Sequence, residues 1–137
     1  MRVELNQTDI NALVARLFAV ETPLQRVTLT DNNIIAVNIT IHLFIANISP
    51  TLNFKVTSVN GKLAFHIENF HHIPFSGKVL DFIVVFLNKF PWIQKNGSSF
   101  VINHNDIPNI EFFRKCDVFF DSVKVSRGQV LIDMRFV

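Results

Sequence analysis

The sequence predicts an α+β domain in which a highly curved antiparallel β-sheet wraps around one long apolar helix, with a short amphipathic helix at the N-terminus. Several segments alternate apolar and polar residues at the two-residue period of a strand with one buried face. Segment 74–90 is instead apolar on nearly every side of a helix, and such a helix must be covered all round. A flat sheet covers only one side of a helix, so the sheet is predicted to curve.

The N-terminal elements are predicted as a short strand over residues 2–5 and then an amphipathic helix of about three turns. Apolar residues recur there at the helical period: Ile10, Leu13, Val14, Leu17 and Phe18. Asn6 or Thr8 is placed to cap the first turn. Pro23 lies beyond the end of the helix, and residues 24–30 have the pattern of a strand.

The clearest strand pattern is 35–45, where every odd position carries a large aliphatic side chain. If Asn47 and Pro50 bracket a tight loop, the chain returns with Leu43 opposite Phe54. The large side chains of both strands then share one face of the sheet.

Asn60-Gly61 predicts a two-residue hairpin, because a type I′ turn requires positive φ at both central positions. The register that follows places Phe54 opposite Ile67 and Val56 opposite Phe65, with these four side chains on one buried face.

A second hairpin of the same sheet is predicted at the C-terminus, with Arg127-Gly128 as its turn. The predicted opposing pairs are Val125 with Val130, Val123 with Ile132, and Phe119 with Phe136. Asp121 then shares the inward face with Met134, and we interpret this as an end of the strand that reaches solvent.

The long helix is predicted between Pro74 and Phe90, because a proline opens the segment and Pro91 follows it. Phe82 and Phe86, one turn apart, are expected to be buried on the same side. The β-branched run 83–85 leaves a strand as the alternative. After the helix, the pattern indicates a strand over 100–103 and a short turn or helix over 107–114.

Composition limits the function classes. The chain has 137 residues, of which 49% are apolar and 18% charged, which indicates one domain over 1–137. A net charge of +2, evenly spread, argues against a nucleic-acid partner. The aromatic residues are 15 Phe and one Trp, so almost all of the aromatic surface is purely apolar.

The sequence contains no motif that indicates catalysis, a metal or a cofactor. His71, His72 and His104 lack metal-ligand spacing, and no local motif supports activation of Cys116 as a nucleophile. No pattern brings two carboxylates together, and phosphate-binding and nucleophile-elbow motifs are absent from the sequence. We therefore predict a non-enzyme with no cofactor.

The order of elements resembles that of the small bacterial envelope relatives of the tubular lipid-binding (TULIP) superfamily, which includes bactericidal/permeability-increasing protein. The resemblance rests on the segments "VELNQTDINALVARLF", "NFKVTSVNGKLAFHIENF", "IPFSGKVLDFIVVFLNKFPW" and "VKVSRGQVLIDMRF". It implies a helix cradled by a curved sheet, an apolar groove for acyl chains, and a location in the cell envelope or periplasm. The chain departs from those proteins in showing neither a leader nor a lipidated cysteine, so the location rests on analogy.

The predicted function is non-catalytic binding of a lipid or other long apolar ligand in a groove between helix and sheet, with peripheral membrane contact left open. The predicted lining is Ile39, Ile41, Leu43, Phe54, Phe65, Phe82, Val85 and Phe86. One alternative is a structural or protein-interaction domain with a filled core. Another is a helix-grip or hotdog-type enzyme acting on acyl substrates. A continuous cavity favours the first over the second, and a carboxylate or histidine at that cavity favours the third.

Overall fold

The structure is a computed structural model that describes residues 1–18, 24–68, 72–96, 99–108 and 110–137, with the side chains of 24 and 25 left out. His71, which the sequence does not favour as a metal ligand, and Pro23, which is predicted to lie beyond the end of the first helix, are outside the described residues. The strands are β1 Arg2–Asn6, β2 Leu24–Leu29, β3 Ile34–Ile39, β4 Ile41–His42, β5 Asn47–Ile48, β6 Thr51–Val59, β7 Lys62–Ile67, β8 Ile93–Asn96, β9 Ser99–Ile102, β10 Val118–Ser126 and β11 Gln129–Phe136. The helices are α1 Gln7–Phe18, α2 Ser76–Leu87 and α3 Glu111–Lys115, and His104–Asp106 forms a 3₁₀ turn.

The strands form two main antiparallel sheets and one small hairpin. The first sheet has three strands in the order β1-β11-β10, and the second has six in the order β2-β3-β6-β7-β9-β8. Strands β4 and β5 pair only with each other in the part of the chain that is described. The C-terminal hairpin is therefore in a different sheet from the β6–β7 hairpin, contrary to the prediction.

The predicted curved sheet around one long apolar helix is wrong. Helices α1 and α2 have 12 residues each and α3 has five, and the sheets are not curled around any of them. Helix α2 buries Val79 and Ile83, whereas Val85 is 64% exposed and Phe75 is also exposed. The error lies in the premise that every apolar side chain of this segment is covered, because isolated apolar residues are common on protein surfaces.

Helix α1 is confirmed with about the predicted length of three turns, and Asn6, one of the two predicted candidates, caps it. The Asp9 amide donates to Asn6 Oδ1 (2.8 Å), and the Asn6 amide donates to Asp9 Oδ2 (2.9 Å). This reciprocal pair satisfies donors that the first helical turn leaves unpaired, so the chain changes from β1 to α1 without an intervening loop.

The predicted strand over 35–45 is broken at Thr40. Strand β3 ends at Ile39, and Ile41 begins the separate β4–β5 hairpin. Phe54 pairs with Ile35 and not with Leu43. An even shift in register keeps the same side chains on the same face, so alternation predicted the buried face but could not fix the partner.

The Asn60-Gly61 hairpin is confirmed, with φ of 51° and 79° at its two central residues. Phe54 pairs with Ile67 and Val56 with Phe65, as predicted.

The C-terminal hairpin is confirmed only near its turn, where Val125 pairs with Val130 and Val123 with Ile132. A β-bulge between Phe120 and Ser122 shifts the register, so Phe119 pairs with Arg135 instead of Phe136. Asp121 is exposed and forms an ion pair with Arg135 (3.0 Å), which agrees with the expectation that it reaches solvent.

Asn33, in the turn between β2 and β3, joins the two main sheets. Its backbone amide donates to the Val125 carbonyl (3.1 Å), and its side-chain oxygen accepts from the Val125 amide (2.9 Å). Its side-chain nitrogen donates to the carbonyls of Val123 (2.9 Å) and Val56 (3.2 Å). A further bond runs from the Phe120 amide to the Gly61 carbonyl (2.9 Å). Strand β10 therefore lies beside the ends of β3 and β6.

Most of the buried apolar side chains form two clusters, and Val37 packs against both of them. The first cluster joins the three-stranded sheet to α1 and part of the six-stranded sheet, and the second lies beneath α2. Among the helices of the described chain, none is long and apolar enough to cross a membrane.

Candidate functional site

A cavity of about 580 Å³ lies between the inner faces of the two main sheets and reaches both core clusters. All three α-helices contribute to its wall. The helical contribution is Ile10, Leu13, Val14, Leu17 and Phe18 from α1, Phe82, Ile83, Phe86 and Leu87 from α2, and Phe112 and Phe113 from α3. Among the lining residues that the structure describes, only Trp92 and His104 carry a nitrogen or oxygen in the side chain.

The strand walls are apolar because of the two-residue alternation. Leu52, Phe54 and Val56 face the cavity from β6, while the intervening Lys55 faces solvent. In α1, the helical period places one apolar face on the cavity and leaves Arg16 exposed. The local patterns that form these elements thus also produce a continuous hydrocarbon lining.

Aromatic rings gather where the C-terminal ends of α1 and α2 meet. The Phe18 ring lies 5.9 Å from Phe86, 5.0 Å from Phe90 and 5.5 Å from Trp92, measured between ring centroids. Phe90 also contacts Trp92 at 5.5 Å. Trp92 is buried and is the sole tryptophan of the sequence, so its fluorescence reports on this part of the cavity.

His104 occupies another part of the wall and is only 4% exposed. Its Nε2 lies 2.8 Å from the Val118 carbonyl oxygen, whereas its buried Nδ1 has no hydrogen-bond partner. Edge-on ring contacts hold the imidazole against Phe120 (4.7 Å) and Phe113 (5.4 Å). Burial lowers the pKa of His104, which favours the neutral imidazole.

Five of the predicted lining residues border the cavity: Ile39, Phe54, Phe65, Phe82 and Phe86. Ile41 and Leu43 pack instead in the cluster beneath α2, because the chain leaves the six-stranded sheet after Ile39. Val85 is on the solvent side of α2 and does not belong to the wall, which corrects its predicted role.

Sequence reasoning missed most of the wall, including the apolar face of α1 and His104. The periodic apolar face of α1 was a signal that could have found the first, since it needs a partner surface. His104 gave no signal, because it lies between Asn103 and Asn105 in a polar segment. Its place in the wall depends on contacts with α3 and β10, which are distant in sequence.

The described residues include no group of three His, Cys, Asp or Glu side chains placed to hold a metal ion. Cys116 is a half-buried free thiol in contact with the first core cluster. No carboxylate is among the lining residues within the described ranges, so the cavity wall offers His104 no acid or base partner.

No protein-family model, curated protein or solved structure matches this chain. The resemblance to tubular lipid-binding proteins therefore stays a prediction, and the conclusions below rest on the cavity.

Proposed function

We propose that this protein binds a lipid or another long apolar molecule, without catalysis, in the cavity between its two sheets. The observation that carries the proposal is a space of about 580 Å³ bordered almost entirely by hydrocarbon side chains. Ligand pockets in proteins have volumes of roughly 300–1,000 Å³ and are predominantly apolar. A wall whose described side chains carry no charge suits an acyl chain, which offers no charge to recognise.

Energetics favour an apolar occupant. An acyl chain in the cavity gains roughly 0.8 kcal/mol for each methylene that leaves water. It also displaces water from a wall that offers almost no hydrogen-bonding groups in its described part.

The cavity also helps to decide between ligand binding and the two alternative functions. An interaction domain with a filled core has no need of a hydrocarbon-lined space of this volume. His104 borders the cavity, and a histidine there is the observation that favours an acyl-substrate enzyme. Such an enzyme also needs a nucleophile or a paired acid and base, and His104 has no such partner in the described wall. These observations support binding over both alternatives.

Contact with a lipid surface is the second part of the proposal. Phe44 and Ile45 form the turn of the β4–β5 hairpin, and both are exposed, Phe44 completely. Aromatic and aliphatic side chains at an exposed tip insert readily into a bilayer interface. Sedimentation with phosphatidylcholine vesicles should fall for Phe44→Ser/Ile45→Ser, with Val59→Ser as the control at another exposed site. Equal sedimentation of all three proteins would contradict this part.

Fluorescence of Trp92 tests binding in the cavity directly. Alkyl ligands from octyl to octadecyl are titrated into the protein, and we expect saturable changes with micromolar or lower dissociation constants. Val14→Phe reduces the space in the cavity and should weaken binding about tenfold, because the new ring occupies volume that the ligand needs. Val85→Phe is the matched control, since it makes the same change on an exposed helix position.

Native mass spectrometry of the purified protein, with lipid extraction, identifies any ligand carried from the cell. Absence of any saturable response across all chain lengths, together with no co-purified apolar molecule, would leave the interaction-domain alternative as the better account.

A further inference from the structure

His104, a residue of the cavity wall, carries the one buried side-chain nitrogen or oxygen without a hydrogen-bond partner among the described residues. His104 Nδ1 is buried and has no hydrogen-bond partner, although the residue is only 4% exposed. Buried polar groups in native proteins almost always have partners, so each exception requires an explanation. An atom of this kind at a binding cavity suggests that the ligand supplies the missing partner.

The protonation state of Nδ1 follows from the hydrogen bond that the other ring nitrogen, Nε2, makes. Nε2 lies 2.8 Å from the Val118 carbonyl oxygen, and a carbonyl can only accept a hydrogen bond. Nε2 therefore carries the hydrogen and donates it to Val118. In the neutral imidazole the other nitrogen then has a free lone pair, so Nδ1 is a hydrogen-bond acceptor.

We infer that the cavity selects a neutral amphiphile with a hydroxyl group, such as a long-chain alcohol, whose O–H donates to His104 Nδ1. This inference rests on the proposed function. A pure hydrocarbon leaves the acceptor unpaired. A carboxylate or a phosphodiester offers only acceptors and brings a negative charge into a wall whose described side chains include no cation. An alcohol satisfies both requirements, because it supplies one donor and its body is apolar.

For the hydroxyl to reach Nδ1, a side chain of the wall must move, because Nδ1 is buried in this structure. The imidazole packs against Phe113 and Phe120, and both residues line the cavity. Phe113 is half-buried on α3, a helix of only five residues, whereas Phe120 is buried in a strand. In the proposed complex the Phe113 ring rotates aside and the ligand hydroxyl approaches Nδ1.

The test compares three ligands with the same twelve-carbon chain: 1-dodecanol, dodecyl methyl ether and dodecanoate at neutral pH. Dissociation constants are measured by Trp92 fluorescence. The wild type should bind the alcohol about tenfold more tightly than the ether, the effect of one buried hydrogen bond, and should bind dodecanoate least tightly. His104→Phe keeps a ring of similar shape and should bind the alcohol and the ether equally. His72→Phe, an exposed histidine outside the wall, should keep the wild-type preference.

The wild type also provides a measurement that depends on no variant. In protein labelled with ¹⁵N-histidine, dodecanol should shift one imidazole Nδ1 resonance and the ether should leave it in place. Equal binding of alcohol and ether by the wild type, or an unshifted Nδ1 resonance, overturns the inference while cavity binding stands. Failure of all three ligands to bind removes the proposed function, and this inference with it.

Discussion

At the scale of single residues, Asn33 joins the two sheets. Its backbone has a positive φ of 62°, which costs most residues about 1 kcal/mol or more, and asparagine tolerates this conformation best after glycine. Its side chain also bonds to the backbone of Val56, Val123 and Val125. One residue therefore supplies both the turn and the connection.

We expect Asn33→Ala to lower the free energy of unfolding by about 2–4 kcal/mol, because it loses three hydrogen bonds and keeps an unfavourable φ. Asn33→Gly loses the same hydrogen bonds, but glycine adopts a positive φ without strain. The glycine variant should therefore be about 1 kcal/mol more stable than the alanine variant. Urea denaturation measures both. The neighbouring Asn32 also has a positive φ (61°) but is exposed, and Asn32→Gly should leave stability nearly unchanged. A similar cost at both positions would contradict the role of Asn33.

His104 predicts a pH dependence of stability. Its pKa in the folded protein is lowered from 6.5 mainly by burial, with a smaller contribution from Lys62, and is opposed by the Val118 hydrogen bond and by Asp106. Below about pH 6.5 the unfolded chain binds a proton that the folded protein resists, so stability falls as the pH falls. Above that pH this contribution is fully present. The urea midpoint should therefore drop between about pH 7.5 and about pH 5.5, and His104→Phe should remove part of the drop. An identical pH profile for both proteins would show that His104 is not the cause.

At the scale of elements, the sequence predicted the turns and strands that are specified by residues close together in the chain. Asn60-Gly61 specifies its turn because both positions need positive φ, and the strand register of β6 and β7 follows from it. The break at Thr40 and the bulge near Asp121 were missed, because each depends on which strand lies alongside. Alternation continues through Thr40, so the sequence pattern there gives no sign that the strand ends.

Among the described residues, Gly61 and Gly128 both have a positive φ, and they allow a matched comparison. Gly61 (φ 79°) has no room for a side chain, since a Cβ would lie 2.4 Å from the Phe119 ring, over which the Arg135 guanidinium is placed at 4.4 Å. Gly128 (φ 77°) has no atom within 4 Å of the same position. Gly128→Ala should cost about 1–2 kcal/mol from the backbone alone, whereas Gly61→Ala should cost about 2–3 kcal/mol more because of the collision. Thermal or urea unfolding of the two variants measures the difference, and equal costs would show that Phe119 moves away freely.

Helix α2 has a covered face and a solvent face, although both carry apolar residues. Phe86 borders the cavity and contacts Phe18 and Phe90, so Phe86→Asp places an unpaired charge in apolar surroundings. We expect a loss of several kcal/mol, on the order of 3–5. Val85→Asp, one position earlier on the solvent face, should change stability by less than about 1 kcal/mol. If the free energy of unfolding of Phe86→Asp equalled that of the wild type, this part of α2 would lie in solvent.

At the scale of the whole molecule, local patterns predicted the faces of the strands but not how many sheets they form. Strand β1 pairs with β11, at the opposite end of the chain, and no alternation within either segment indicates this partner. The prediction therefore placed the cavity between α2 and one curved sheet, whereas it lies between the two main sheets. Five of its eight lining residues still border the cavity, because the apolar face of a strand stays inward whichever sheet covers it.

The composition of the cavity wall predicts how binding responds to salt and temperature. Since no charged side chain is among the lining residues within the described chain, the dissociation constant of an uncharged alkyl ligand should change little between about 0.05 and 0.5 M salt. Burial of the chain and of the cavity wall should give a negative heat-capacity change, measured by calorimetry at several temperatures. Val14→Phe should reduce the magnitude of this change together with affinity, because less of the ligand leaves water. A strong salt dependence, or a heat-capacity change near zero, would place the ligand on the charged outer surface and not between the sheets.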